Sequence, residues 1–562
     1  MRKKEDDSNF DSISSQFNAN NIQREQRTSS KLLSKFDITK KELIVLLLSL
    51  SIVIAFYLIY VGKTDLVDYD EGVYLLSSHL YVNNFKLYSQ IFVSQTPLLF
   101  EFVKITNLYV SNLLIAGRVT VILFSSIGFI GTALCCLTIV KNKIRNQQVH
   151  SISENKAWLV IPLSMVLLGF LSKYWIYHAR VIMPNVPQAS FSILSLWFFY
   201  QSIKTDNLSV WEFLAGMSLS LGLLFKLFGI IPIPFIFFYY LFSKNKKKKL
   251  ILFLIGLILP LFFLFKYDLV EFFNQAILFH TEKNRNFMSI FYGFEDLLNW
   301  FQTDIVIFAL AIFAIIPILN SKNRFEIIAL IWTIYNIIAL SLYSPIYEQH
   351  YVHIVPAMVV IATISLFNIL NYLKRFFNRL KNKITHKSDF FKNVISKIYN
   401  FTRKFTQNNI LKVAVILIVI FSTTCPVYFN YIDTSTSNEK YLITAEIIKT
   451  LVQPDEFFLT DSPSVAYFSN RNIVPQLVDI SNQRISSGNL KTVQLMKFVV
   501  KYNISVVLYY AKRLVKIEEW NSYVLNEFKL SYYYNSTTKS WLPATIEMKS
   551  ISQIENFQIW TK

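Results

Sequence analysis

The chain has 562 residues, of which 53% are hydrophobic and only 16% charged, and its mean hydropathy is +0.38. Those proportions exclude an ordinary globular protein and leave an integral membrane protein. The net charge of +20 could suggest nucleic acid, but the basic residues sit in short blocks between apolar runs, where they set orientation across a bilayer, so nucleic acid is not an expected partner.

Residues 1–41 are polar and lack apolar periodicity, which predicts a disordered tail without the apolar core of a signal peptide. The run 43–61 is long enough to span, and the basic residues before it argue for a retained anchor with its N-terminus in the cytoplasm. Further spans are expected at 118–140, 157–172, 184–203, 250–265, 305–319, 325–342, 352–370 and 410–429. The stretch 211–242 is too long for one crossing and contains Gly229, Pro232 and Pro234, so it divides into two short helices meeting at a break.

The sum is about eleven spans. It places the loops 141–145, 244–249, 321–324 and 374–412 on the cytoplasmic side, and the last carries eleven Lys and Arg against one acid. The C-terminus then lies outside. Cys135, Cys136 and Cys425 all fall inside apolar stretches and read as small core residues rather than as a disulfide framework.

The expected fold is therefore mainly α: a polytopic transmembrane helix bundle over 42–430, with a catalytic outer loop at 62–117. A small extracytoplasmic α/β domain over 431–562 follows, because helix-like segments there alternate with strand-like ones at 457–460, 506–510 and 530–534. The location is the cell membrane, multi-pass.

Three groups of residues could carry chemistry on the outer side. Asp68, Asp70 and Glu71 stand just beyond the first span, at the start of an interfacial helix. Acids there can complement the helix dipole, or one can act as a general base beside an apolar surface that raises its proton affinity. Arg118, Arg180 and Lys226 form a basic set at the same predicted membrane level, where a cation calls for an anionic partner or snorkels to the headgroups. The outer loop SPIYEQHYVHIVP supplies Tyr347, Glu348, His350, Tyr351 and His353. Its two histidines could ligate a metal, but without a third and fourth ligand they fit better as hydrogen-bond partners of a phosphate or sugar.

Carboxylates beside cations suit displacement at a sugar carbon bonded to phosphate, the acid taking the acceptor proton while Arg and Lys stabilise the phosphate. Asp70 and Glu71 are the expected catalytic pair. Arg118, Arg180 and Lys226 are expected on the donor phosphate, and Asp68, Tyr74, Tyr347, Glu348, His350 and His353 on substrate. No metal ligands and no required cofactor are expected.

In order and character, residues 43–370 resemble the GT-C superfamily of membrane glycosyltransferases, near the protein O-mannosyltransferases and the lipid A aminoarabinose transferase. The likeness rests on the acidic pair Asp70–Glu71, QTPLLFEF at 95–102 leading to Arg118, AR with MPN at 179–185, the Lys226 segment, and EQHYVHIVP. It implies a polyprenyl-phosphate sugar donor, hexose or mannose-like, an inverting single displacement with Asp70 as base and Glu71 assisting, and Gln95 and Asn185 on substrate. Protein, lipid or glycan could be the acceptor, and membrane lipids surround the bundle. Asn185 stands where many relatives carry an acid, which makes a metal less expected, and the tail lacks a WWDYG-type string. Two other readings are a transporter or flippase of a lipid-linked sugar, for which no internal repeat is visible, and an anchoring scaffold, which leaves Asp70, Arg180 and Lys226 without a role.

Overall fold

The computed structural model describes residues 36–61, 69–145, 154–205, 207–243, 246–281, 289–321, 323–342, 347–384, 439–535, 538, 540–544 and 557–562. Asp68, Cys425, the tail before residue 36, most of the basic loop 374–412 and the expected span 410–429 lie outside them.

The fold is mainly helical. Among the described residues, four helices are long and apolar enough to cross a membrane: Lys40–Ile59, Leu113–Arg145, Lys247–Lys266 and Arg324–Ser341. A fifth crossing exists if Glu295–Thr303 and Ile305–Leu319, bent by 106° at their break, count as one. Shorter apolar helices, among them Ala157–Leu171, Val210–Phe225, Leu227–Phe242 and Val355–Ile369, pack beside them. Lys247–Lys266 turns most of its apolar surface outward, with only 17% of its window buried, as a lipid-facing helix does.

Glutamates that cap or begin helices staple the basic loops together at one end of the bundle. Thr39 and Glu42 form a reciprocal cap on the first helix, and Lys141 donates to Glu42 at 2.7 Å. Glu212 closes a capping box with Ser209 and pairs with Lys249 at 2.9 Å, while Lys143 reaches Glu326 at 2.8 Å. Leu113–Arg145 runs from this end to the other, so Arg118 stands about 40 Å from Arg145 at 1.5 Å per residue.

The tail builds a six-stranded sheet in the order β2-β1-β3-β6-β4-β5, where β1 is Phe457–Thr460, β2 Asn472–Ile473, β3 Val506–Tyr509, β4 Lys529–Asn535, β5 Ser540–Pro543 and β6 Gln558–Thr561. β1 pairs in parallel with β2 and β3, and the other neighbours are antiparallel. Along β3, Val506 and Leu508 join the core continuous with the bundle, while Val507 and Tyr509 join a separate core under Thr492–Lys501 and Glu518–Glu527. Period-two alternation thus fills both faces of the sheet.

The tail lies directly on the helix Tyr69–Val82. A Cβ at Gly72 would fall 2.5 Å from Ser464 Oγ, so this close approach of Pro463–Ser469 requires glycine. Tyr467 packs edge-on against His79, and Phe92 N donates to Pro475 O at 3.4 Å.

Candidate active site

The break expected between 211 and 242 is present and aims Lys226. The helix Val210–Phe225 stops at Lys226, whose backbone is extended, and one turn over Leu227–Ile230 leads to Pro232 and the helix Ile233–Phe242. Gly229 folds back so tightly that a Cβ there would lie 2.4 Å from Leu223 N. A larger residue would open the turn and swing Lys226 away.

Beside this break is a cavity of about 530 Å³, within the range of small-molecule sites. Its bundle side holds Asp70, Tyr74, Gln95, Lys226, Phe228, His280, Tyr347, Gln349 and His350, and an apolar wall of Leu227, Ile230, Ile231 and Ala339. Its other side comes from the tail: Asp479, Ser481, Asn482, Gln483 and Arg513.

A hydrogen-bonded path joins acid to cation along the cavity wall, by way of the buried Asn185, which is not itself among the lining residues. Gln349 Nε2 donates to Asp70 Oδ2 at 3.0 Å, Asn185 Nδ2 donates to Gln349 O, and Lys226 Nζ donates to Asn185 Oδ1 at 3.1 Å. Burial pushes the Asp70 carboxyl above the usual carboxylate range and the nearby Asp479 adds to this, while Lys226 and Arg513 pull it back. The raised proton affinity suits a group that takes a proton from an acceptor.

Other expected site residues fall elsewhere. Glu71 is completely buried and turned away from Asp70: Arg118 Nε and Nη2 donate to its two oxygens at 2.9 and 3.0 Å, and Ile182 N adds a third bond at 3.1 Å. Glu71, expected to assist Asp70, and Arg118, expected on the donor phosphate, are thus joined in a buried bidentate pair, and neither lines the cavity. Arg180 is not on the cavity wall either, and its Nε donates to Ile176 O at 2.9 Å. Glu348 is exposed outside the cavity. The two histidines do not act together: His350 packs tilted against Phe228 and edge-on against Tyr347, whereas His353 bridges Gln188 and Asn336 inside the bundle. Among the described residues no group of three or more His, Cys, Asp or Glu could hold a metal ion.

Sequence reasoning missed Tyr69, His280, Gln349, Asp479 and Arg513. Gln349 lies in the very loop that was singled out, and Tyr69 adjoins Asp70. His280, Asp479 and Arg513 carry no local pattern, and only the docked fold brings them to Asp70.

Comparison with known proteins agrees with this architecture. The family described as dolichyl-phosphate-mannose-protein mannosyltransferase matches residues 162–266, the stretch that holds Asn185 and Lys226. No curated protein matches the chain by sequence. The crystal structure of ArnT from Cupriavidus metallidurans in the apo state is similar at a TM-score of 0.57 and 12% identity, over 92% of this chain and 97% of that one. ArnT bound to undecaprenyl phosphate gives the same TM-score at 11% identity, over 92% and 97%. An oligosaccharyltransferase from Archaeoglobus fulgidus, in complex with Zn and sulfate, has a TM-score of 0.47 at 13% identity, over 90% and 74%. The family match lies over residues 162–266, and the fold is similar to that of ArnT over nearly the whole length of both chains.

Proposed function

We propose that the protein transfers a sugar, hexose or mannose-like, from a polyprenyl-phosphate carrier to a hydroxyl acceptor on the extracytoplasmic side. The observation that carries this reading is the cavity in which Asp70 and Lys226 are tied through Gln349 and Asn185 beside an apolar wall. That ArnT has been solved with undecaprenyl phosphate supports a prenyl carrier here.

In the reaction, the Asp70 carboxylate removes the acceptor proton as the acceptor oxygen bonds to the anomeric carbon from the face opposite the phosphate. The bond from that carbon to the phosphate oxygen breaks, its electron pair leaves with the lipid phosphate, and the anomeric configuration inverts. Lys226 stabilises the negative charge that builds on the phosphate, worth most in a water-poor site. Leu227, Ile230, Ile231 and Ala339 offer the prenyl chain an apolar path. Tyr74, Gln95, Tyr347 and His350 line the cavity where sugar and phosphate would contact them.

The topology that fits is about eleven spans, with the tail over 431–562 outside and the basic loops in the cytoplasm. The stapling of those loops at the end of Leu113–Arg145 remote from Arg118 supports it. The reading is tested by incubating purified full-length protein with a panel of polyprenyl-phosphate sugars and candidate acceptors, and measuring released lipid phosphate and glycosylated product. Turnover of one donor that disappears in Asp70→Asn supports it. Lack of release from every donor would overturn it.

A further inference from the structure

The tail domain reaches the cavity through two loops that are held rigid from within. Asp461 is buried and accepts four backbone amides of one loop, those of Tyr510 and Ala511 on Oδ1 and of Arg513 and Leu514 on Oδ2, at 2.8, 2.8, 2.8 and 3.2 Å. Arg484 Nη1 fixes the other loop by donating to Gln476 O at 2.6 Å and Asp479 O at 2.8 Å, and its guanidinium lies 3.6 Å above the ring of Phe92. What these loops present converges on one side chain of the bundle. The Arg513 guanidinium lies 3.1 Å above the ring of Tyr69, the Tyr69 hydroxyl donates to Asp479 Oδ1 at 3.4 Å, and Ile480 N donates to that hydroxyl at 2.9 Å. Tyr69 directly precedes Asp70 at the first turn of its helix.

We propose that the tail is a working part of the reaction site: Arg513 and Asp479, gripping Tyr69 from above and from its hydroxyl end, are positioning residues that fix the orientation and charge surroundings of Asp70. The inference rests on the sugar-transfer reading for its purpose, but its geometry stands apart from it. The clamp gives a physical reason for a separate sheet domain to sit on this helix, since it supplies an acid and a cation to a cavity that Arg118 does not reach. Around Asp70 the charged and titratable groups lining the cavity are Asp479 and Arg513 from the tail, Lys226 from the helix break, Tyr347 and His350 from the outer turn, His280 from the segment Phe279–Thr281, and Tyr69 and Tyr74 on its own helix. Of these, Asp479 opposes ionisation of Asp70, while Lys226 and Arg513 favour it.

The test needs neither donor nor acceptor. Purified full-length protein is treated with dicyclohexylcarbodiimide, which reacts with protonated carboxyls, across a pH series, and labelling of the peptide that contains Asp70 is read by mass spectrometry. In Asp479→Asn, which removes a like charge, the midpoint of labelling should move to lower pH. In Arg513→Ala, which removes an opposite charge, it should move to higher pH, and Arg513→Lys should restore it. Loss of folding alone would not shift the two variants in opposite directions, and an unfolding temperature close to the parent's in each shows an intact fold. Midpoints that coincide with the parent in both variants, or an Asp70 that takes no label at any pH, would overturn the clamp. Absence of lipid-phosphate release from every donor would overturn the sugar-transfer reading and leave this result standing.

Discussion

Lys226 and Asp70 stand at the two ends of one hydrogen-bonded path, the ammonium 3.1 Å from Asn185 Oδ1 and the carboxylate 3.0 Å from Gln349 Nε2, with the Asn185 amide joined to the Gln349 carbonyl between them. The path fixes the separation of a carboxyl and an ammonium that come from residues far apart in the chain. Such fixed spacing is what in-line transfer requires, because the acceptor proton and the departing phosphate lie on opposite faces of the sugar carbon.

Replacing the base tests the first end of the path. Asp70→Asn keeps the shape and the contact with Gln349 but cannot take a proton, so turnover of the polyprenyl-phosphate sugar should fall about 10²–10⁴-fold. Binding of undecaprenyl phosphate to the same variant should persist. Unchanged turnover would remove Asp70 from the mechanism.

The cation is tested by binding. A charge-assisted hydrogen bond is worth about 1.5–3 kcal/mol, so Lys226→Ala should weaken undecaprenyl phosphate about ten- to a hundredfold. Asn185→Ala leaves the charge but frees its direction, and should lower turnover more than affinity. Titration of the lipid phosphate into each purified variant, alongside single-turnover rates, separates the two effects. Equal affinity in the parent protein and Lys226→Ala would place the phosphate elsewhere.

The pair Glu71–Arg118 should behave as structure, not chemistry. Glu71→Gln strands a guanidinium that is only 3% exposed, and breaking a buried pair by removing one partner costs about 3–5 kcal/mol. The variant should unfold at a clearly lower temperature, and the double variant Glu71→Leu, Arg118→Met should regain much of the loss because no unpaired charge remains. Thermal unfolding of the purified proteins decides it. A single variant that unfolds normally yet loses lipid-phosphate binding would return Arg118 to the donor site.

The sequence made the helix break around Lys226 legible, because Gly229 and Pro232 leave few alternatives to interruption, and it made β1, β3 and β4 of the tail legible through their β-branched and aromatic runs, but not β2, β5 or β6. Asp70 stood out for being acidic at a boundary. The partner of its neighbour did not: Glu71 and Arg118 are 47 residues apart, and hydropathy treats each as a charge to be explained singly. Asp479 was harder still, since it lies 410 residues from Tyr69 in a segment whose local pattern resembles any loop. Short-range periodicity reports which face of an element is buried, not which distant loop will cover it.

The pH dependence follows from the surroundings of Asp70 and Asp479. Burial first, and then their mutual repulsion for Asp70, hold both carboxyls above the ordinary Asp value of about 3.9, against the pull of Lys226 and Arg513 on Asp70 and of Arg484 and Arg513 on Asp479. A base works only when deprotonated, so kcat/KM should rise with pH through a limb displaced upward from that value. Stability should move the opposite way. A carboxyl whose folded-state proton affinity is raised contributes stability that is fully present below the unfolded value and is lost as pH rises through the folded one. Activity and unfolding temperature should therefore change in opposite senses across the same window. Asp479→Asn should soften both changes, since it removes one buried charge and lowers the proton affinity of the other. Rates and unfolding temperatures measured over one pH series check the link; an acid limb at the ordinary carboxylate value, with stability flat beneath it, would mean that Asp70 is solvated and that the cavity does not shield it.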